Sequence, residues 1–150
     1  MMMDIIRLKG IYVLRAWKNS LLVCEKKVPN LITTLGKGLV CDNLISVVTS
    51  GLHYHAIGTG TTAAAIADIK LETEVTRKEV TSRTRVGNVI TLSTFYLAAQ
   101  ATYNIKEVGI FGGGATAAAD SGTLFSHALL SYDNSAGLYD LTFDYELTIS

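Results

Sequence analysis

The chain has 150 residues, of which 13 are basic and 13 acidic, so its formal net charge is zero. This balance argues against a nucleic-acid partner, which needs a surplus of lysine and arginine, and a hydrophobic content of 49% argues against disorder. Only 17% of the residues are charged, against about 25% in an average soluble protein. We therefore expect one domain over residues 1–150, with a surface largely covered by partners.

The N-terminal unit, residues 1–28, is predicted to form two strands or an arm. Apolar side chains occupy both alternating sets of the first strand, and Lys18-Asn19-Ser20 supplies a turn before the second. Asp4, Arg7 and Lys9 interrupt any signal-peptide core, and no stretch reads as the roughly 20 predominantly apolar residues of a membrane span. We expect no membrane partner.

The next segment, residues 30–50, is predicted to hold one helix over residues 31–49. Asn30 is the expected N-cap and Gly51 the expected C-terminal stop, while the glycines inside the helix weaken it by about 1 kcal/mol each relative to alanine. The apolar residues that recur at intervals of three and four are Leu31, Ile32, Leu35, Leu39, Val40, Leu44, Ile45 and Val48.

The remainder, residues 54–150, has the pattern of a β-sandwich. Gly87-Asn88 predicts a hairpin turn, and the strict alternation of apolar and polar residues after Asp140 predicts a last strand with one buried face. The predicted strands cover residues 54–57, 74–86, 89–97, 103–111, 123–131 and 141–149, with one helical turn at residues 66–71. Together with the N-terminal strands they predict a mainly β fold, an antiparallel β-sandwich of seven or eight strands with one packed α-helix.

Two histidines are candidate metal ligands. His53 and His55 are two residues apart, so on a strand their imidazoles point to the same face. A zinc or nickel site in a metal-dependent enzyme needs a third ligand, and the nearest acidic residues in sequence are Asp68 and Glu72. The alternative is a partly exposed strand end with two ordinary histidines. We favour the alternative and expect neither a metal nor a cofactor, because no other cluster has metal-ligand spacing.

A segment of small residues, Gly58-Thr59-Gly60-Thr61-Thr62, invites comparison with phosphate-binding loops. No lysine follows it, as a Walker loop requires, and Ala63 stands where the dinucleotide fingerprint needs a third glycine. A turn in which backbones approach closely is the favoured interpretation. This segment and the run Gly112, Gly113 and Gly114 are therefore predicted contact elements for a protein partner.

The only basic concentration lies at Arg77, Lys78, Arg83 and Arg85, with glutamates interspersed. If residues 74–86 form one strand, the three arginines share a face, which is either a solvated surface or a contact for an acidic protein neighbour. The interleaved glutamates disfavour nucleic acid. Since the sequence also lacks a hydrolase elbow and any Cys–His or paired-carboxylate arrangement, we expect no enzymatic activity.

Several motifs follow one another in a fixed order along the last two-thirds of the chain. They are Ile57-Gly58-Thr59-Gly60-Thr61-Thr62-Ala63, Leu71-Glu72-Thr73-Glu74 with Arg77, Ile105-Lys106-Glu107-Val108-Gly109-Ile110-Phe111, Gly122-Thr123-Leu124-Phe125 and Leu141-Thr142-Phe143-Asp144-Tyr145-Glu146-Leu147-Thr148-Ile149-Ser150. In order and spacing they resemble a group of small tailed-bacteriophage virion structural proteins of the capsid decoration (cement) or tail-fibre-like kind. The chain departs from the group at Ala64-Ala65-Ile66, where a proline is usual, and at His127, where arginine is frequent.

The resemblance implies a non-enzymatic virion protein that assembles by protein contacts, as a homotrimer or another homo-oligomer. The leading hypothesis is a capsid cement protein that binds the major capsid protein and stabilises the shell. The alternative is a tail, collar, baseplate or tail-fibre component involved in attachment. We favour cement because 150 residues leave little room for the stalk and tip of a fibre.

Overall fold

The computed structural model describes residues 3–150, so Met1 and Met2 of the predicted N-terminal unit lie outside the described residues. The described residues form ten strands and one α-helix, with a single 3-10 turn at Ala98–Gln100. In chain order the elements are β1 (Leu8–Lys18), β2 (Leu21–Pro29), β3 (Leu31–Ile32), α1 (Thr34–Leu44), β4 (Tyr54–Gly58), β5 (Glu74–Glu79), β6 (Ser82–Val86), β7 (Val89–Tyr96), β8 (Asn104–Gly112), β9 (Thr123–Asp133) and β10 (Asp140–Ile149).

The strands form two antiparallel sheets, which confirms the predicted β-sandwich with one helix. The first sheet has the order β2-β1-β10-β7-β6, and the second has the order β3-β9-β8-β4-β5. The hairpin predicted at Gly87-Asn88 joins β6 to β7, with Val86 opposite Val89. The strands number ten rather than seven or eight, and residues 66–71 contain a turn closed by the Asp68 N–H and the Ala65 carbonyl rather than a helix.

The helix is shorter than predicted at both ends. Leu31 and Ile32 pair with His127 and Ser126 of β9, so the chain is still extended where the helix was expected to begin. Thr33, not Asn30, is the N-cap, because its hydroxyl oxygen accepts from the Gly36 N–H at 2.9 Å. At the other end Ser46 adopts a left-handed backbone with φ of 62°, which ends the helix well before Gly51.

The predicted strand over residues 74–86 is in fact two strands in different sheets. β5 ends at Glu79 and β6 begins at Ser82, and the chain crosses between the sheets at Val80, which is buried. The Val80 N–H donates to the His53 carbonyl, and the Thr81 N–H donates to the Ser93 carbonyl of the other sheet. Arg77 therefore does not share a face with Arg83 and Arg85, contrary to the sequence prediction.

The main core lies between the two sheets and is rich in aromatic residues. Phe143 and Tyr145 of β10 are buried together with Tyr12 of β1, as the alternating pattern of the last strand predicts. The Tyr12 hydroxyl lies 2.5 Å from the hydroxyl of Ser126 in the opposite sheet. Each large apolar side chain buried here contributes about 1.5–3 kcal/mol.

A second, smaller core covers the outer face of the β4-β8-β9 sheet. Its buried members are Ala56, Leu71, Phe111 and Leu124. Leu71 comes from the long connection between β4 and β5, residues 59–73, so this connection folds over the outside of the sheet. It thereby removes from water the charged side chain of Glu107, which lies on β8 and is fully buried.

Candidate functional site

Glu107 is the centre of a buried polar cluster beneath the β4–β5 connection. Its Oε1 atom accepts hydrogen bonds from the backbone N–H groups of Gly60 at 3.1 Å and Thr73 at 2.7 Å. Its Oε2 atom accepts from the Glu72 N–H at 3.0 Å. A buried carboxylate is tolerated only where its lone pairs are satisfied. This one carboxylate thus fastens both ends of the connection to the sheet.

His127 of β9 completes the cluster. Its Nε2 lies 2.9 Å from Oε2 of Glu107, and its Nδ1 lies 2.8 Å from an oxygen of Asp68. Since both ring nitrogens face carboxylate oxygens, the doubly protonated imidazolium satisfies all the contacts. Burial lowers the pKa of His127, but the hydrogen bonds to Glu107 and Asp68 raise it by more, so the pKa lies above its ordinary value.

The pKa of Glu107 moves in the opposite direction. Burial raises it, but the hydrogen bond from His127 and the backbone bonds from Thr73, Glu72 and Gly60 together hold the pKa below its ordinary value. Both shifts therefore favour the ion pair of Glu107 with His127 over the neutral pair. A cavity of about 320 Å³ lies beside His127 and is lined by Asp68, Lys70 and Glu72 among others.

Arg77 of β5 forms a second buried ion pair on the same outer face. Its Nε and Nη2 atoms donate to the two carboxylate oxygens of Glu74, each at 2.7 Å, and both side chains are only 2% exposed. The guanidinium carbon lies 4.4 Å from the centre of the Phe111 ring, and Nη1 donates to the carbonyls of Thr116 and Ser121. Arg77 is thus committed to its own chain rather than presented to a partner.

The two candidate metal ligands are not placed together by the structure. His55 is buried among Tyr12, Tyr96 and Phe143, and its ring stacks on Phe143 at 4.4 Å. The structure thus corrects the interpretation of a partly exposed strand end for His55. His53 lies outside the core, with Nδ1 3.2 Å from Nη2 of Arg83.

The acidic residues considered as third ligands have other contacts. Asp68 binds His127, and Glu72 accepts from the Thr62 N–H at 2.7 Å. Within residues 3–150 no group of three or more His, Cys, Asp or Glu side chains is placed to hold a metal ion.

Burial lowers the pKa of His55 to about 3. The Nδ1 atom lies 3.1 Å from the Tyr96 hydroxyl, which itself donates to the His55 carbonyl at 2.9 Å. This arrangement assigns the proton of the neutral ring to Nδ1. The Nε2 atom is buried and has no hydrogen-bond partner among the described residues. His55 is therefore a neutral core residue at physiological pH.

The predicted small-residue contact elements lie partly inside the molecule. Gly58 and Gly60 are buried against Glu107, and a Cβ atom at either position would lie 2.5 Å from its Oε1 atom. Thr59 is half-buried, whereas Thr61 and Thr62 are exposed. The close approach required of these glycines is thus to a side chain of the same chain.

The second glycine run lies at the end of β8. Gly112 is buried there, and Gly113 and Gly114 have the positive φ angles, 62° and 79°, that favour glycine. Gly113 is half-buried and Gly114 is exposed, so this run, like Thr61 and Thr62, stays a predicted contact element.

An apolar groove of about 680 Å³ opens beside α1. It lies between α1 and the inner faces of β6, β7 and β10, and its walls include Leu39, Val40, Ile90 and Leu147. Arg83 and Arg85 line it as well. Both arginines are exposed and remain predicted partner residues.

Comparison with protein-family models, curated proteins and solved structures finds no match to this chain. The phage resemblance therefore stays a prediction that rests on its sequence motifs. The part of the chain that the structure describes contains no helix with the length and apolar content of a membrane span.

Sequence reasoning did not identify the cluster of Glu107, His127 and Asp68. One signal was available, because Glu107 is a single acidic residue inside the predominantly apolar strand Asn104–Gly112. A charge in such a position is buried with partners or marks an exposed face. Its partners lie 20 residues away at His127 and in a loop, so spacing alone does not reveal them.

Proposed function

We propose that this chain is a non-enzymatic structural protein of a bacteriophage virion, namely a capsid cement protein that binds the major capsid protein. The observation that carries the proposal is an apolar surface at the end of α1. Leu44, Ile45 and Val48 are 80%, 75% and 96% exposed, and Val47 beside them is 39% exposed. Contiguous exposed apolar residues of this kind mark surfaces that a protein partner covers.

Several residues of the motifs that suggest the phage group stabilise the fold of the chain itself. Gly60, Glu72 and Thr73 bind the carboxylate of Glu107, and Arg77 pairs with Glu74. These residues maintain the outer core of the sandwich. Since these residues are engaged within the chain, we expect a partner to bind exposed surfaces, above all the end of α1.

The mechanism of a cement protein is thermodynamic linkage. A protein that binds the assembled shell, but not separated subunits, stabilises the shell by mass action. Particles that lack this chain should then break at a lower temperature or a lower internal pressure. Full heat and pressure resistance in depleted particles would contradict the cement role.

Copy number tests the position on the particle. Quantitative mass spectrometry of purified virions should find hundreds of copies per particle for a cement protein. A few to a few dozen copies would instead assign the chain to the tail, collar or baseplate. Its absence from virions would overturn the proposal altogether.

Surface variants test the contact itself. Ile45→Asp and Val48→Asp place charges on exposed positions at the end of α1, so we expect normal folding but loss of binding to depleted particles. Val86→Asp is the matched control, because Val86 is 79% exposed on a different element, β6. Equal binding by the Val48 and Val86 variants would exclude the end of α1 as the contact.

A further inference from the structure

The groove has the dimensions and the lining of a binding site. Its volume of about 680 Å³ lies within the range of about 300–1,000 Å³ typical of ligand-sized clefts. One wall is α1, with Leu39 and Leu44, and the other is the inner face of the first sheet, with Ile90, Leu147 and Ile149. Leu44 also belongs to the exposed apolar surface at the end of α1, so the two features are continuous.

Two arginines give the groove a positive charge. Arg83 lies opposite Leu92 and Arg85 opposite Ile90 in the β6–β7 ladder, so both share the inner face of the sheet with those apolar residues. No aspartate or glutamate lines the groove, and neither guanidinium has an ion-pair partner within residues 3–150. An occupant should therefore combine apolar side chains with a carboxylate.

The chain itself contains a segment of that chemistry, residues 3–6, which we call the arm. In the arm Met3, Ile5 and Ile6 are 76%, 66% and 74% exposed, and Asp4 supplies one negative charge. The arm begins beside the groove, because the Arg7 N–H donates to the Ser150 carbonyl and the neighbouring Ile149 lines the groove. None of the arm residues lines the groove of its own chain.

We propose that the arm of one copy occupies the groove of a second copy, with the Asp4 carboxylate facing Arg83 and Arg85. The four residues of the arm span about 13 Å when they are extended. The exchange covers apolar surface on both partners, and the charge pairing sets the orientation of the arm. This inference deepens the proposed assembly role and rests on it, since it names one partner as a second copy of this chain.

Charge reversal in the whole chain tests whether the arm of one copy binds the groove of another. Sedimentation velocity over a concentration series should show that the wild-type chain self-associates. Asp4→Arg alone, and the double substitution Arg83→Glu with Arg85→Glu, should each raise the dissociation constant about tenfold or more. An equimolar mixture of the two variants should associate again, because the reversed arm now fits the reversed groove.

Controls separate this contact from a general charge effect. Lys9→Glu with Lys27→Glu reverses two exposed charges that do not line the groove, and it should leave association unchanged. Asp4 lies outside the strands, so at concentrations where the wild-type chain is monomeric Asp4→Arg should keep the wild-type thermal unfolding curve. A wild-type chain that stays monomeric overturns the arm exchange. So does association that is indifferent to these charges, or that the mixture fails to restore.

The outcomes for the two proposals are distinct. A monomeric chain that still binds and stabilises particles would overturn the arm exchange alone. A chain that self-associates through the arm but is absent from virions would overturn the virion role and leave the exchange standing.

Discussion

The Nε2 atom of His127 lies 2.9 Å from Oε2 of Glu107, and both side chains are buried beneath the β4–β5 connection. The pair joins adjacent strands, β8 and β9, while the backbone N–H groups of Gly60 and Thr73 bind the same carboxylate. A buried charge that loses its partner costs about 3–5 kcal/mol. We therefore expect the stability of the connection to depend on the protonation of His127.

Stability should fall as the pH rises through the folded-state pKa of His127. That pKa is raised above 6.5, so the contribution of the ion pair is complete below about pH 6.5 and is lost at higher pH. His127→Arg keeps a cation at every pH, and the 320 Å³ cavity beside His127 provides room for the longer side chain. Urea unfolding between pH 6 and 9 should show a steeper decline for wild type, by at most about 1.4 kcal/mol per pH unit.

His53→Gln is the matched control for this titration, because His53 lies outside the cluster. It should keep the wild-type decline. Parallel pH profiles for wild type and His127→Arg would refute the role assigned to the ion pair.

Two glycine substitutions should have opposite effects on stability. A Cβ atom at Gly60 would lie 2.5 Å from both Oε1 of Glu107 and Cβ of Glu72, so Gly60→Ala should cost about 1–3 kcal/mol. Gly38 lies inside α1 with nothing within 4 Å of a Cβ atom, so Gly38→Ala should add about 1 kcal/mol through helix propensity. Denaturant unfolding of both variants measures the difference, and a stabilised Gly60→Ala variant would contradict the packing described here.

Arg77 should resist replacement by lysine. A single ammonium cannot reproduce the two parallel bonds to Glu74 and the bonds to the Thr116 and Ser121 carbonyls, so we expect a loss of about 3 kcal/mol. Amide hydrogen exchange should accelerate in residues 113–121, which the guanidinium holds. Arg85→Lys, at an exposed position, should change stability by less than about 0.5 kcal/mol. Equal losses for the two variants would rule out a special role for Arg77.

Periodicity predicted the elements whose environment is uniform along their length. The last strand alternates because one face of β10 packs on the core, and Gly87-Asn88 marks a turn through local backbone preference. The prediction of one strand over residues 74–86 was wrong, because the alternation of side chains continues across Val80, where the chain changes sheets. Whether a residue such as Val80 lies within a strand or at a corner is decided by tertiary contacts.

The buried cluster of Glu107, His127 and Asp68 could not be predicted from the sequence for a similar reason. His127 and Asp68 are 59 residues apart, and they meet only because the β4–β5 connection folds over the outer face of the sheet. The sequence shows a histidine at position 127 but not its partners. Likewise, His53 and His55 are close in sequence, yet only the imidazole ring of His55 is buried in the core.

His55 should make the protein less stable in mild acid. Its folded-state pKa is about 3 because of burial, whereas the unfolded ring titrates near 6.5. The unfolded chain therefore binds the proton first, and stability falls as the pH drops from about 6.5 to 5, by at most about 1.4 kcal/mol per unit. His55→Phe keeps an aromatic ring against Phe143 and should flatten this slope.

Tyr96→Phe is the control. It removes the hydrogen bond between the Tyr96 hydroxyl and the His55 ring but keeps His55, so it should retain the wild-type slope. Urea unfolding at pH 6.5, 5.75 and 5.0 compares the three proteins, and an NMR titration in which His55 protonates near pH 6.5 would show that the ring is not buried as described.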